Sequence, residues 1–210
     1  PFENGGGYGR LEEIGVPVIE CADYMEESAL GRAEWMKFYG LLYGREREAD
    51  SLFAVVEKNY QALSEKANQS KITRSVLPDR KVGPVWYLPG GESSVGLLYK
   101  DAHGMYAYAK DKHSGSLSMP FETVLDKFVQ SDFWILSYRG DFNRAKLLAE
   151  FQGYSMLKPC RTGEIYGCKV DSIPYFEEVS WRPDWLLSDL IQLFHPDLHI
   201  APMRYYHKLK

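Results

Sequence analysis

The chain has 210 residues and a formal net charge of −4, so its composition gives no support for a nucleic-acid partner. Hydrophobic residues make up 45% and charged residues 26%, which is typical of a folded domain and excludes a disordered chain. No apolar stretch has the length of a transmembrane span. The three cysteines do not make a disulfide framework; Cys160 and Cys168 could pair if their strands are neighbours, but isolated buried thiols are favoured.

The residues before position 28 predict the end of an α/β lobe. Gly9–Ile14 has the pattern of a short helix, and the apolar run Val16–Cys21 has the pattern of a strand. The chain begins without a methionine or a signal-peptide pattern, which indicates a processed or truncated piece. We therefore expect residues 1–27 to be the remnant of an N-terminal lobe that is mostly missing.

The longest periodic stretch of the sequence follows, between positions 30 and 67. In its second half the apolar residues recur every three or four positions, as on one face of a helix: Leu52, Phe53, Val56, Tyr60 and Leu63. This pattern predicts a helix from Arg45 to about Asn68, which would be ~35 Å long. A first helix, capped by Ser28 and ended by Gly44, should precede it. We expect residues 28–70 to be linking helices that join two lobes.

Strand and helix patterns alternate from position 71 to the end of the chain. The predicted strands are Ser75–Leu77, Pro84–Leu88, Met105–Ala109, Phe133–Leu136 and Glu164–Cys168. The predicted helices begin near Ser93 or Ser94, Pro120, Phe142 and Trp181, the last of them ending at Phe194. This order predicts an α/β fold in which residues 71–210 form a Rossmann-like, three-layer C-terminal lobe with a parallel sheet.

Ligands of such sheets bind beyond the carboxyl ends of the strands. Four loops are expected there: Pro89–Gly91, Lys110–Ser118, Tyr138–Gly140 and Asp171–Ser180. The candidate ligand contacts lie in or beside these loops.

Aromatic side chains dominate the candidates. Trp86 and Tyr87 end a strand, where alternation places at least one of them in the core and lets the other line a cleft. Tyr175, Trp181 and Arg182 lie in or just after another strand-end loop. An aromatic cluster with one arginine suits a large, flat, partly anionic ligand, because rings stack and a guanidinium binds a carboxylate or catecholate.

The remaining candidates are Gly90 and Gly91 in the turn after the strand, His113 in the second loop, and Glu122. A solvated loop position is the favoured alternative for His113. Glu122 lies in the first turn of a predicted helix, where the helix dipole alone explains a carboxylate. No catalytic motif and no metal-ligand spacing is present, so we predict no catalytic residue, no metal site and no cofactor.

Three stretches resemble a known family: residues 9–18 (GRLEEIGVPV), residues 30–49, and Phe121–Leu125 followed by 131–136 (SDFWIL). The chain resembles the substrate-binding proteins of ABC importers, in the class that takes up iron-siderophore complexes, haem and vitamin B12 (cobalamin). In that class one rigid helix joins two α/β lobes. The loop sequences are most similar to those of Bacteroidetes-type lipoproteins.

The resemblance implies a binding protein rather than an enzyme. It implies that Glu122 docks on the ABC transporter permease, and that the ligand, a small-molecule metal chelate, lies between the lobes. Trp86, Tyr87, Tyr175 and Trp181 would contact the ligand on this side. The full-length protein would be periplasmic and held by a lipid anchor that lies outside this chain.

Two alternatives stay open. One is a chelatase-like metal-binding enzyme of a related two-lobed α/β fold, which a stoichiometric metal on Cys160 or His113 would support. The other is a plain interaction domain with a closed cleft.

Overall fold

The computed structural model describes residues 8–200 and 202–210. The first seven residues of the predicted lobe remnant therefore lie outside the described residues. The helices are α1 (Arg10–Glu13), α2 (Ala29–Leu42), α3 (Glu46–Ala67), α4 (Ser94–Asp101), α5 (Phe121–Phe128), α6 (Arg144–Glu150), α7 (Lys158–Thr162), α8 (Tyr175–Val179) and α9 (Pro183–Phe194). The strands are β1 (Val76–Pro78), β2 (Lys81–Val82), β3 (Val85–Pro89), β4 (Ser116–Met119), β5 (Phe133–Tyr138), β6 (Ile165–Lys169) and β7 (Tyr206–Lys208).

The two helices predicted within residues 28–70 are present as α2 and α3; their linking role stays a prediction. The Ser28 side chain accepts a hydrogen bond from the Gly31 N–H at 2.9 Å and so caps α2. Gly44 follows α2 with a φ of 63°, a left-handed conformation that suits glycine and separates α2 from α3. The second helix is one uninterrupted segment of 22 residues.

Helix α3 packs along α9 and is also tied to α4. Its buried face consists of Ala49, Phe53, Val56, Tyr60 and Ala67. Three of these were predicted from the sequence, whereas the predicted Leu52 is exposed. The Tyr60 hydroxyl donates to an Asp101 carboxylate oxygen at 2.6 Å, and Ser64 Oγ donates to the Asp101 carbonyl at 2.7 Å. The Asn59 side chain donates to Asp184 on α9 at 3.3 Å. The long helix is therefore attached to the sheet-bearing part of the chain along its second half.

The main sheet has the strand order β1-β5-β6-β7. The first three strands are parallel, and β7 pairs with β6 in the antiparallel sense. Helices or turns cover both faces, because Phe133 packs on Phe194 of α9 while its neighbour Trp134 packs on Tyr154. These features confirm the predicted α/β class with a parallel sheet.

A second sheet of three antiparallel strands has the order β2-β3-β4. The predicted strand at Pro84–Leu88 is present as β3 but belongs here, so its placement in the parallel sheet is wrong. The last three residues of the predicted Lys110–Ser118 loop, together with Met119, pair with β3 as β4. A core of three rings joins the two sheets: Trp86 lies 5.6 Å from Trp134, and Tyr154 contacts both.

Three local predictions are wrong. Val16–Cys21 is not a strand, because no other described strand offers its backbone a pairing edge, and most of its side chains are exposed. Met105–Ala109 makes one isolated bridge to Ser75 and then turns. The predicted loop at Pro174–Ser180 contains α8. Strand β7, near the end of the chain, was not predicted at all.

The described cysteines are unpaired. Cys160 and Cys168 are both buried, and burial raises the pKa of Cys160 to about 11 and that of Cys168 to about 12. The preference for isolated buried thiols is therefore confirmed. Among the described residues, no helix combines the length and the apolar character that crossing a membrane requires.

Gly40 tests the packing of α2 on α3, because a Cβ added there would clash with the Cβ of Ala49 and lie 3.2 Å from the Arg45 carbonyl oxygen. Helix propensity alone would make Gly40→Ala stabilising by up to about 1 kcal/mol. Overpacking outweighs this gain, so we expect a net loss of about 1–2 kcal/mol in urea denaturation. Gly115→Ala is the control, since its Cβ would meet nothing within 4 Å. Equal stability of the two variants would contradict the close contact.

Candidate functional site

The carboxyl edge of the parallel strands is the candidate site. It consists of Pro78–Arg80 after β1, Ser137–Gly140 at the end of β5, and Lys169–Asp171 at the end of β6. Parallel strands end at the same side of a sheet, and in open α/β folds ligands bind in the crevice outside those ends. The structure places the loops at 138–140 and 171–180 at this edge, as predicted.

Ser137 marks the place where this edge opens to solvent. All the other residues of β5 are buried, whereas Ser137 is exposed. Strand register places Ser137 beside Cys168 and Cys168 beside Tyr206, so these three residues form a row on one face of the sheet. A solvent-exposed serine on a central strand shows that no helix within residues 8–200 and 202–210 covers the end of this face.

Asp79 lies at the same edge, directly after β1. Its φ of 57° is left-handed, a conformation that aspartate tolerates better than most residues. Incomplete solvation raises the pKa of Asp79 to about 6, and the nearby positive charge of Arg80 only partly opposes this. The side chain is nevertheless exposed.

The charge of Asp79 also affects the pKa values of four tyrosines. Burial raises the pKa values of Tyr99, Tyr106, Tyr175 and Tyr206, and the negative charge of Asp79 contributes to the shift at all four. The Tyr106 hydroxyl is already engaged, because it donates to the Pro89 carbonyl at 2.6 Å.

The amino edge of the sheet differs, because its charges are paired. Glu164 accepts hydrogen bonds from Arg74 at 2.7 Å, from Tyr166 at 2.9 Å and from Lys208. Burial alone would raise the pKa of Glu164, but these hydrogen bonds outweigh it and lower the pKa to about 2. At the carboxyl edge, by contrast, the side chains of Asp79 and Arg139 make no hydrogen bond or ion pair with any residue that the structure describes.

Trp86 corrects one predicted ligand contact. It is completely buried, and its indole N–H donates to the Pro78 carbonyl at 2.9 Å. The alternation of β3 turns Tyr87 outward instead, with 46% of its surface exposed. The sequence predicted one core and one surface residue in this pair; the structure shows that Trp86 is the core residue and cannot touch a ligand.

Gly90, Gly91 and His113 form a separate cluster beside β3. The Gly90 N–H donates to Gly115 O at 2.9 Å, and a Cβ at either glycine would clash with the backbone of the 108–115 segment. His113 is exposed and lies 3.0 Å from an Asp111 carboxylate oxygen. Both glycines are required by backbone packing, so their ligand role is not needed to explain them. The role of His113 stays a prediction.

Tyr175, Trp181 and Arg182 lie near each other in sequence but differ in surroundings. Tyr175 begins α8, in the connection that follows the carboxyl end of β6, and its ring packs edge-on against Tyr205 at 5.2 Å. The Trp181 ring packs edge-on against Tyr39 of α2 at 5.4 Å. Arg182 donates two hydrogen bonds, at 2.9 and 2.7 Å, to the buried carboxylate of Asp184 and lies over the Trp185 ring.

These contacts correct the roles of two predicted ligand residues. The Arg182 guanidinium is occupied by Asp184, whose side chain is only 3% exposed, so it is not available for a ligand carboxylate. Trp181 helps to attach α2. Tyr175 is the only one of these three that the structure brings to the carboxyl edge.

Glu122 lies in the first turn of α5 and is exposed. Its carboxylate makes no ion pair within residues 8–200 and 202–210. The position is open to a partner, and the helix dipole favours a negative charge there.

A scan against protein-family models matches residues 9–171 to the periplasmic binding protein family. The chain belongs to this family. The match confirms the resemblance to a family of binding proteins.

Two curated relatives of this family member are uncharacterized lipoproteins of Methanocaldococcus jannaschii. One is 26% identical over 196 residues, which are 90% of this chain and 44% of the relative. The other is 24% identical over 209 residues, which are 96% of this chain and 52% of the relative. The chain thus spans about half the length of the curated relatives it matches. The likeness to Bacteroidetes-type proteins stays a prediction.

Solved structures share the fold. A periplasmic heme binding protein from Pseudomonas aeruginosa aligns with a TM-score of 0.72 and 14% identity, over 97% of this chain and 72% of the other. A possible iron-binding protein from Staphylococcus epidermidis aligns at 0.68 and 17% identity (89% and 69%). An Fe3+-hydroxamate transport protein from Saccharomonospora viridis aligns at 0.65 and 19% identity (90% and 66%). At these identities the likeness establishes the α/β fold of this family member.

The pairing of Arg182 with Asp184 gives a test of its role. Arg182→Met leaves a buried carboxylate without its partner, so we expect a loss of about 3 kcal/mol in unfolding free energy. Adding Asp184→Asn removes the uncompensated charge and should restore a large part of that loss. Unchanged stability of Arg182→Met in chemical denaturation would show that the guanidinium is free to bind a ligand.

Proposed function

We propose that this family member is the substrate-binding component of an ABC importer that captures an iron complex, a siderophore chelate or haem, and delivers it to the membrane permease. The carboxyl edge of the sheet carries the proposal. It is the place where a buried central strand exposes Ser137, and where Asp79 and Arg139 keep unpaired side chains within the described residues. Aromatic and hydroxyl side chains at such an edge suit a small polar ligand.

The arrangement of the chain supports a two-lobed protein. Val16, Val18 and Ile19 are exposed although their sequence has strand character, and so are Leu41 and Leu42 at the end of α2. Apolar surface of this kind usually faces a partner. We propose that residues 1–27 belong to an upstream lobe, that residues 28–70 link the lobes, and that residues 71–210 form the C-terminal lobe.

The proposed partner is the permease, and the proposed location is periplasmic or otherwise extracytoplasmic. The family match and the lipoprotein relatives support the location. The lipoprotein relatives also support a lipid anchor for the full-length protein. Glu122 is proposed to contact the permease, since it is an exposed carboxylate at a helix end and makes no ion pair among the described residues.

Ligand stabilisation tests the proposed function. The full-length protein should be titrated with ferrioxamine B, haemin and cyanocobalamin, with iron-free desferrioxamine B as the control. A ligand at a hundred times its Kd adds about 2.7 kcal/mol, which should raise the Tm by about 3–8 °C. We expect one of the two iron complexes to produce this shift. A shift with cyanocobalamin alone would identify the ligand as cobalamin rather than an iron complex. No shift with any of the three ligands would contradict the proposal.

Glu122 gives a separate test of permease docking. In cells that depend on this importer for iron, Glu122→Arg should reduce uptake of 55Fe-labelled ligand at least about tenfold, because charge reversal opposes docking. Ligand affinity and Tm of the purified variant should not change. Asp126→Arg is the matched control, since Asp126 is also an exposed carboxylate on α5. Equal uptake by the two variants would contradict the docking role.

A further inference from the structure

A cavity of about 420 Å³ lies beside the carboxyl end of β1, between the β2–β3 hairpin and the segment that follows α6. Its first wall comes from the hairpin side and includes Arg80, Lys81 and Gly83. The opposite wall includes Glu150, Phe151 and Tyr154. The cavity therefore combines two cationic side chains, one carboxylate and two aromatic rings.

Aromatic contacts join this cavity to the carboxyl edge of the main sheet. The Arg80 guanidinium lies over the Phe142 ring, 4.8 Å from its centroid. Phe142 in turn packs against Tyr138, the last residue of β5, with the ring centroids 5.3 Å apart. One ring thus separates the cavity from the end of the central strand, so a ligand held at the carboxyl edge reaches the cavity with a peripheral group.

Positive charge is in excess in the cavity. Arg80 forms an ion pair with Glu150, the one carboxylate among the described residues that line the cavity. Lys81 makes no ion pair within residues 8–200 and 202–210. Its Nζ atom donates to the Gly83 carbonyl at 2.8 Å and lies 4.7 Å from the centroid of the Phe151 ring. An ammonium that serves one neutral acceptor keeps further N–H donors for a ligand.

The walls of the cavity are fixed by the core of the protein. The Lys81 N–H donates to the Tyr154 hydroxyl at 3.1 Å, and Tyr154 is completely buried. Lys81 also lies opposite Trp86 in the pairing of β2 with β3. On the other wall, the Phe151 ring packs edge-on against Phe121 at 4.7 Å. The cavity is therefore preformed, as ligand sites usually are.

We propose that this cavity is a subsite that binds an anionic oxygen group of the chelate, a carboxylate or a catecholate, through the Lys81 ammonium. This inference rests on the proposed function and narrows its substrate class to negatively charged iron chelates. A charge-assisted hydrogen bond of this kind is stronger than one between neutral groups. Arg139 at the adjacent edge has the same sign and makes no ion pair among the described residues. Asp79, whose charge opposes an anion, does not line the cavity.

Chelates of different charge test the preference. Haemin carries carboxylates and ferric enterobactin carries anionic catecholates, whereas ferrioxamine B carries a free ammonium. We expect the full-length protein at about pH 7.5 to bind haemin or ferric enterobactin at least roughly tenfold more tightly than ferrioxamine B, the equivalent of one charge-assisted hydrogen bond. Tryptophan fluorescence quenching measures the three affinities.

Variants assign the preference to the cavity. Lys81→Met keeps an apolar stem without the charge and should weaken binding of the preferred anionic chelate roughly tenfold, whereas Lys81→Arg should stay within roughly threefold of the wild type. Glu150→Gln removes the negative charge from the cavity and frees Arg80, so it should tighten binding of the same chelate. Lys127→Met is the matched control, since Lys127 is a lysine on α5 that does not line the cavity. Unchanged Tm values would show that the variants are folded.

Other results overturn the inference in a recognisable way. A wild-type preference for ferrioxamine B, or equal affinities of Lys81→Met and Lys127→Met for the anionic chelate, contradicts the subsite while leaving the proposed function intact. Weaker binding by Glu150→Gln also contradicts it, because an anionic group would then not be what the cavity holds. Failure to bind any of the three iron complexes removes the proposed function, and the subsite with it.

Discussion

The packing of α3 on α9 is the constraint on which the rest of the structure depends. Tyr60 and Ala67 are almost completely buried in the same apolar cluster as the inner face of α9, and each fully buried large apolar side chain contributes about 1.5–3 kcal/mol. Hydrogen bonds from Tyr60 to Asp101 and from Asn59 to Asp184 fix the orientation of α3 in this contact. A long helix attached in this way cannot swing independently of the sheet. Any region joined to its start is held at a set distance from the carboxyl edge, which favours a preformed crevice over a large closing motion.

The two edges of the parallel sheet illustrate how stability and function are separated. At the amino edge, Glu164 accepts several hydrogen bonds from within the protein, and these bonds lower its pKa. At the carboxyl edge, the pKa of Asp79 is raised because burial is not compensated by hydrogen bonds. If every polar group were paired within the protein, none would be left to bind a ligand. The carboxyl edge retains such groups where the crossover connections of a parallel sheet leave an opening.

The spacing of apolar residues in the sequence correctly predicted the helices and strands that are specified by their own local sequence. The apolar spacing around Phe53, the cap at Ser28 and the glycine at position 44 specify the helix pair without reference to the rest of the chain. The strand at Phe133–Leu136 was equally clear, because it is apolar on both faces. Strand β3 shows the limit: its sequence specifies a strand but not its partner, and pairing with β2 and β4 depends on contacts distant in sequence.

The candidate site was harder to predict for the same reason. Tyr175 was found from its loop position, but Arg182 was misjudged because Asp184, two residues further on, binds it. An aspartate two residues after Arg182 could have indicated this ion pair from the sequence. Asp79 was missed, since it follows a weak three-residue strand and has no motif. Ser137 was missed because only the three-dimensional arrangement of helices shows that its face of β5 is uncovered. A residue that becomes a candidate because it is uncovered or unpaired in the fold has no recognisable pattern in the sequence.

Native-state hydrogen exchange of the backbone amides tests the central claim most directly. If α3 is part of the same cooperative unit as the sheet, amides from Phe53 to Ala67 should exchange with the same opening free energy as those of the buried strand β5. Exchange of these α3 amides through a local opening several kcal/mol below that of β5 would contradict the account, because the linking helix would then detach while the sheet stays folded.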